Sequence, residues 1–143
     1  MTLPIQVKVK KLHPDAKLPT QAYKGDAGWD LYALHDAQVI MGHVTEVKLG
    51  VAFEIPYGYQ MHIHTRSSFG KRGLKCHLGV VDAGYRGELT IWITSVKPIW
   101  YDIKKGDKIA QVIFSPVLNI NIVETDKLNP SERGEKGYGS SGR

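Results

Sequence analysis

The 143 residues are 42% hydrophobic and 23% charged, which supplies one globular domain with a real core and excludes an intrinsically disordered chain. No apolar run approaches the roughly 18 residues that span a bilayer, the leading MTLPIQVKVKK lacks a signal-peptide apolar segment, and the single cysteine, Cys76, forbids an intrachain disulfide. These features predict an intracellular, cytoplasmic protein with no membrane partner. The formal charge of +5 is scattered, with short basic clusters at Lys8, Lys10 and Lys11, at Lys71 and Arg72, and at Lys104 and Lys105. A small polyanion such as a nucleoside triphosphate suits that field better than nucleic acid, and no nucleic-acid partner is required.

In chain order, strands are predicted at IQVKVKK, WDLYAL, AQVIM, VTEVKL, VAFEI, YQMHIHT, the apolar run 78–81, ELTIWITSV, IWYDI, KIAQVIFSPV and NINIVET. Gly and Pro turns separate them and helical periodicity is nearly absent. So many short strands at this spacing predict a sandwich, jelly roll or barrel. Beyond Leu128 the composition turns polar and glycine-rich, dividing the chain into a body, residues 1–128, and a flexible arm, residues 129–143.

Chemistry-bearing residues cluster in four places. GDAGWDLYA, residues 25–33, sets Asp30 at a strand start, where its carboxylate either orients a metal-bound water or satisfies neighbouring backbone donors. TRSSFGKRG, residues 65–73, follows a strand with Arg66, Ser67 and Ser68; a guanidinium, two hydroxyls and turn N–H groups can hold phosphate, or form a solvated turn. GVVDAGYRGE, residues 79–88, places Asp82 where buried structure gives way to a turn. A carboxylate dry on one side and wet on the other suits a general base acting on water, and Tyr85 offers a flat face to a sugar or base. The alternative is an Asp capping a tight turn. RGEKGYGSSG, residues 133–142, has four glycines, whose free backbone can wrap an anion beside Arg133, Tyr138, Ser140 and Ser141, or can form a disordered tail.

His62 and His64 share one strand face, as a metal-binding pair would, but no Glu or His follows within ten residues to complete a site. Exposed-face histidines are the simpler reading.

Five stretches in order, DAGWDL, TRSSFG, GVVDAGYRGE, GDKIAQVIF and RGEKGYGSSG, span residues 26–142 and closely resemble the five motifs of the trimeric dUTPase family. The resemblance implies an all-β fold, a distorted jelly-roll barrel with little helix. It further implies a three-fold homotrimer whose sites lie at subunit contacts, with the first, second and fourth motifs from one chain, the third from its neighbour and the fifth from the remaining chain. The implied reaction converts dUTP to dUMP and pyrophosphate through attack of water on the α-phosphorus with Mg²⁺ bridging the phosphates. By the same resemblance Asp82 is the base, Tyr85 lies beneath the deoxyribose and excludes a 2′-hydroxyl, and backbone of a hairpin from Leu78 through Gly79 to Val81 reads uracil. Arg66, Ser67, Ser68 and Gln111 bind phosphates and Asp30 holds Mg²⁺ through water. Arg133, Tyr138, Gly139, Ser140 and Ser141 close over the ligand.

Three departures stand out. Tyr138 replaces a common Phe, Ser141 replaces a common Thr, and LKCHLG lacks the Asn with which some members recognise uracil. Three rival readings are a related dCTP deaminase, which needs a glutamate and other polar groups at the pyrimidine C4, a bifunctional enzyme with both activities, and a non-catalytic nucleotide-sensing or protein-binding module. VVDAGYRGE has the dUTPase form, and complete motifs favour catalysis.

Overall fold

A computed structural model describes residues 3–77 and 79–142. Its elements are β1 (Lys8–Lys11), β2 (Gly28–Tyr32), β3 (Ala37–Ile40), β4 (Thr45–Lys48), β5 (Val51–Glu54), β6 (Tyr59–His64), α1 (Ser67–Lys71), β7 (Leu74–His77), β8 (Val80–Val81), β9 (Thr90–Ser95), β10 (Trp100–Ile103) and β11 (Lys108–Pro116). The pairings are antiparallel and fall into four sheets, ordered β2-β11-β6-β8, β4-β9-β7, β1-β5 and β10-β3, in a distorted jelly roll that does not close into a continuous barrel. Among the described residues no helix is long and apolar enough to cross a membrane.

Period-two alternation makes the core. On β9, Ile91 and Ile93 are fully buried while Trp92 is exposed; on β6, Met61 and Ile63 point inward and His62 and His64 take the other face. With Leu31, Leu49, Ile103, Ile109 and Val112 they form one apolar cluster. Each such side chain contributes about 1.5–3 kcal/mol by leaving water, offset mainly by the conformational entropy lost on ordering the chain.

Four local expectations fail, each for a tertiary reason. NINIVET forms no strand: Ile120, Ile122 and Val123 are 70%, 92% and 72% exposed, and the chain lends them no neighbouring strand to complete a ladder. TRSSFG enters a single helical turn instead of an open turn, with Phe69 buried beneath it. The apolar run 78–81 reduces to β8, in which Val81 is buried and Val80 is 55% exposed; Leu78 lies outside the described residues. LKCH, not expected as a strand, is β7, and it pairs with β9 while β8 pairs with β6, so the two are not the arms of one paired hairpin.

Candidate active site

Strand β11 is the organiser, hydrogen-bonded to β2 on one side and β6 on the other, with Gln111 opposite both Asp30 and His64. A bulge between Lys108 and Ala110 buries Ile109 and Ala110 in succession. In a regular strand, residues three apart face opposite ways; the extra residue resets the alternation and lets Lys108 and Gln111 both approach Asp30.

Asp30 is the electrostatic centre of this face. Its side chain is only 14% exposed, Arg66 Nε lies 3.2 Å from Oδ1, and Lys108 Nζ lies 3.3 Å from Oδ2. Arg66 Nη1 also donates to the Lys108 carbonyl at 3.1 Å, which fixes the guanidinium plane and leaves its remaining N–H groups for a ligand. Asp30, Arg66, Ser67 and Gln111 line a polar cavity of about 320 Å³, together with Asp26 and Gly28. Gly28 matters because a Cβ there would overlap Gln111 Oε1. The bare backbone gives the amide its place. Ser68 is exposed on the same helical turn but does not line the cavity.

The donor set fits Mg²⁺ held mainly by phosphate oxygens and water, as is usual for this ion. One carboxylate, already paired with two cations, suits a contact through water better than direct ligation. Among the described residues no group of three His, Cys, Asp or Glu side chains could hold a metal, and the His62 and His64 rings sit 6.2 Å apart without a third ligand.

Asp82 and Tyr85 line a second cavity, of about 300 Å³, with Ile63, Val81, Thr90 and Trp92. Asp82 follows buried Val81 and is itself exposed; its carbonyl accepts from the Tyr85 N–H at 3.1 Å, closing the turn. Turn-forming and solvent access therefore coexist at this residue. The Tyr85 ring folds back across Gly87, where a Cβ would collide with it, and its hydroxyl donates to the Glu88 carbonyl at 3.1 Å. Arg86 stays in the turn, donating to the Ala83 carbonyl at 2.6 Å, and the strand expected over ELTIWITSV starts at Thr90, not at Glu88.

The Gly79 carbonyl accepts from the Ile63 N–H at 2.8 Å, so that group is committed to β6. Strand β8 is an edge of its sheet, leaving its far backbone side free to pair with a flat ligand. Cys76, within the stretch lacking Asn, is buried, its Sγ donating to the Ile109 carbonyl at 3.4 Å. Burial pushes its thiol up to about 11, which removes thiolate chemistry near neutral pH.

Among the described residues, none of the arm lines either cavity in the single chain. Arg133 Nε donates to the Lys136 carbonyl at 3.0 Å, Ser140 N–H to the Gly137 carbonyl at 3.2 Å, and Tyr138 is fully exposed. Gly139 and Ser141 are likewise exposed. Sequence reasoning missed Lys108, Asp26, Gly28 and Trp92; the first lies inside GDKIAQVIF and the next two inside DAGWDL, so motif membership was the available signal.

A family model described as dUTPase matches residues 14–142. The deoxyuridine 5′-triphosphate nucleotidohydrolase of Clostridioides difficile is 39% identical over 139 residues, covering 95% of this chain and 97% of that protein. Among solved structures, the dUTPase of Staphylococcus bacteriophage 80alpha with dUPNHPP is similar at a TM-score of 0.87 and 29% identity, covering 96% of this chain and 99% of the other. A mutant dUTPase from phage phi11 of S. aureus, which coordinates a structural Mg(II) ion, shares the fold at a TM-score of 0.79 and 24% identity, covering 85% of this chain and 97% of that one.

Proposed function

The chain belongs to the dUTPase family, and from that premise we propose that it hydrolyses dUTP to dUMP and pyrophosphate at sites shared between the subunits of a homotrimer. Such an activity limits uracil incorporation into DNA and supplies dUMP, in the cytoplasm. The observation that carries the reading is the pair of cavities: a polar one in which Arg66, Ser67 and Gln111 meet Asp30 and Asp26, and a mainly apolar one lined in part by an exposed carboxylate, Asp82.

In this reading Asp82 accepts the proton of the attacking water, and the deoxyribose lies against Tyr85, whose hydroxyl is tied back to Glu88. Arg66, Ser67 and Gln111 bind phosphate oxygens in the polar cavity and Ser68 meets them from outside it, while Asp30 holds Arg66 in its plane and would hold Mg²⁺ through water. When bound, Mg²⁺ would supply charge neutralisation at the phosphates. Uracil pairs with backbone on the open side of β8, within the stretch from Gly79 to Val81; cytosine would present a donor where uracil presents an acceptor, leaving protein groups unpaired. The arm, residues 129–143, folds over the phosphates of a neighbouring subunit's site with Arg133, Tyr138, Gly139, Ser140 and Ser141, excluding bulk water and aligning the α-phosphorus.

Exposed surface supports the assembly. Val117, Leu118, Ile120 and Ile122 leave the body uncovered, at 50%, 75%, 70% and 92% exposure, and an apolar cavity of about 520 Å³ opens between Ile5, Val7, Leu18, Trp29 and Phe114. Apolar surface on this scale marks a contact with another molecule.

The direct test is pyrophosphate formation from a panel of deoxynucleoside triphosphates with and without Mg²⁺, with ammonia release from dCTP measured alongside. Turnover of dUTP alone, dependent on the metal, is expected; equal rates across the panel, or no pyrophosphate from dUTP, would overturn the assignment. Replacing Tyr85 by Ala should narrow the kcat/KM preference for dUTP over UTP, by up to about 10²-fold, the range a packing surface commands against one hydroxyl. An unchanged ratio would place sugar selection elsewhere. Gly28→Ala should leave the melting temperature near wild type yet raise KM for dUTP by about tenfold, the effect of losing one charge-assisted hydrogen bond. The displaced group is the mobile end of Gln111, so the cost falls on the ligand and spares the fold.

A further inference from the structure

Trp92 stands out on β9 because its neighbours on the outward face, Thr90 and Thr94, are small and polar, whereas a large aromatic is left 41% exposed there. Its environment is specific. Glu46 lies directly opposite on β4, and the indole Nε1 donates to Glu46 Oε2 at 3.1 Å. His77 lies opposite on the other side, on β7, with its Nε2 and Thr94 Oγ1 2.6 Å apart. The one polar group of the indole is thus satisfied on the β4 side, and the apolar ring is what it can offer to the cavity that also contains Asp82 and Tyr85.

We infer that Trp92 is the aromatic wall against which the pyrimidine base packs in that cavity. The inference rests on the dUTPase reading and deepens it, naming a side-chain contact to the base where LKCHLG offers no Asn. A flat base beside an indole gains stacking or edge contact whatever its substituents, so Trp92 contributes affinity while the choice of uracil stays with hydrogen bonds at the base edge. The contact is remote from the reacting phosphorus and equal in ground and transition states. It therefore lowers KM and leaves kcat untouched.

Trp92→Leu and Trp92→Phe, made in the full chain, test this. Trp92→Leu should raise KM for dUTP by about tenfold, within the range of one base–aromatic contact, with kcat within about twofold and Trp92→Phe restoring most of the loss. Titration with dUpNHpp or dUMP should change the tryptophan emission of the wild type, and that change should vanish in Trp92→Phe, where Trp29 and Trp100 remain. A KM unchanged in Trp92→Leu, an emission change that persists in Trp92→Phe, or a loss confined to kcat would overturn the proposal. So would a fall in oligomer mass by light scattering in Trp92→Leu, which would make the residue a subunit contact. Wild-type protein that releases no pyrophosphate from dUTP would reject the catalytic reading separately, because the dUMP titration still reports whether a nucleotide meets Trp92.

Discussion

Asp82→Asn is expected to fold and bind dUTP as the wild type does while kcat falls by about 10²–10⁴-fold, the usual cost of removing a general base. The amide keeps the size and shape of the carboxylate but cannot take the proton of water. Folding should survive because the turn is closed by backbone, the Tyr85 N–H on the Asp82 carbonyl, and because the Asp82 side chain is exposed. Steady-state kinetics with dUTP, beside a binding titration with dUpNHpp, reads both quantities. Near-normal kcat in the purified variant would remove Asp82 from the chemistry, whereas loss of binding with kcat preserved would make it a ligand contact only.

A chain truncated after Ser131 should lose nearly all turnover, and mixing it with Asp82→Asn should bring part of it back. One parent retains the base and the other the arm. If a site takes these parts from different chains of a cyclic trimer, every mixed trimer holds one site with both. At equal mixing about three-quarters of trimers are mixed and one of their three sites works, so roughly a quarter of wild-type activity should return after joint denaturation and refolding. Neither parent alone should show it. No recovery, with mixed trimers confirmed by mass, would reject a site shared between chains and leave the hydrolysis itself standing. The single chain makes the experiment worth doing, since the arm's hydrogen bonds among Arg133, Lys136, Gly137 and Ser140 stay within the arm.

Both experiments act on residues that the sequence already singled out, and the reason is local. Asp82 and Tyr85 are three apart in one turn, and Arg66 and Ser67 are adjacent, so short-range spacing suffices to group them. Strand identity was legible on the same ground: in YQMHIHT and ELTIWITSV the alternation of apolar and other residues is itself the signature of a half-buried strand, and Met61, Ile63, Ile91 and Ile93 are indeed the buried ones.

Pairing between distant segments was not legible. That β8 joins β6 while β7 joins β9 depends on which backbone edges remain open after the sheets assemble, and no window of sequence contains that information. NINIVET carries a strand pattern as good as its neighbours' yet stays unpaired, because a strand is a relation between two segments and this chain supplies only one. The Asp30 cluster has the same origin. Asp30 and Lys108 stand far apart in the chain, and the bulge that turns Lys108 and Gln111 toward the same carboxylate exists only when β11 lies against β2. Residue types and their local order thus determined which groups this protein brings to its chemistry, while long-range backbone hydrogen bonding decided which of them meet.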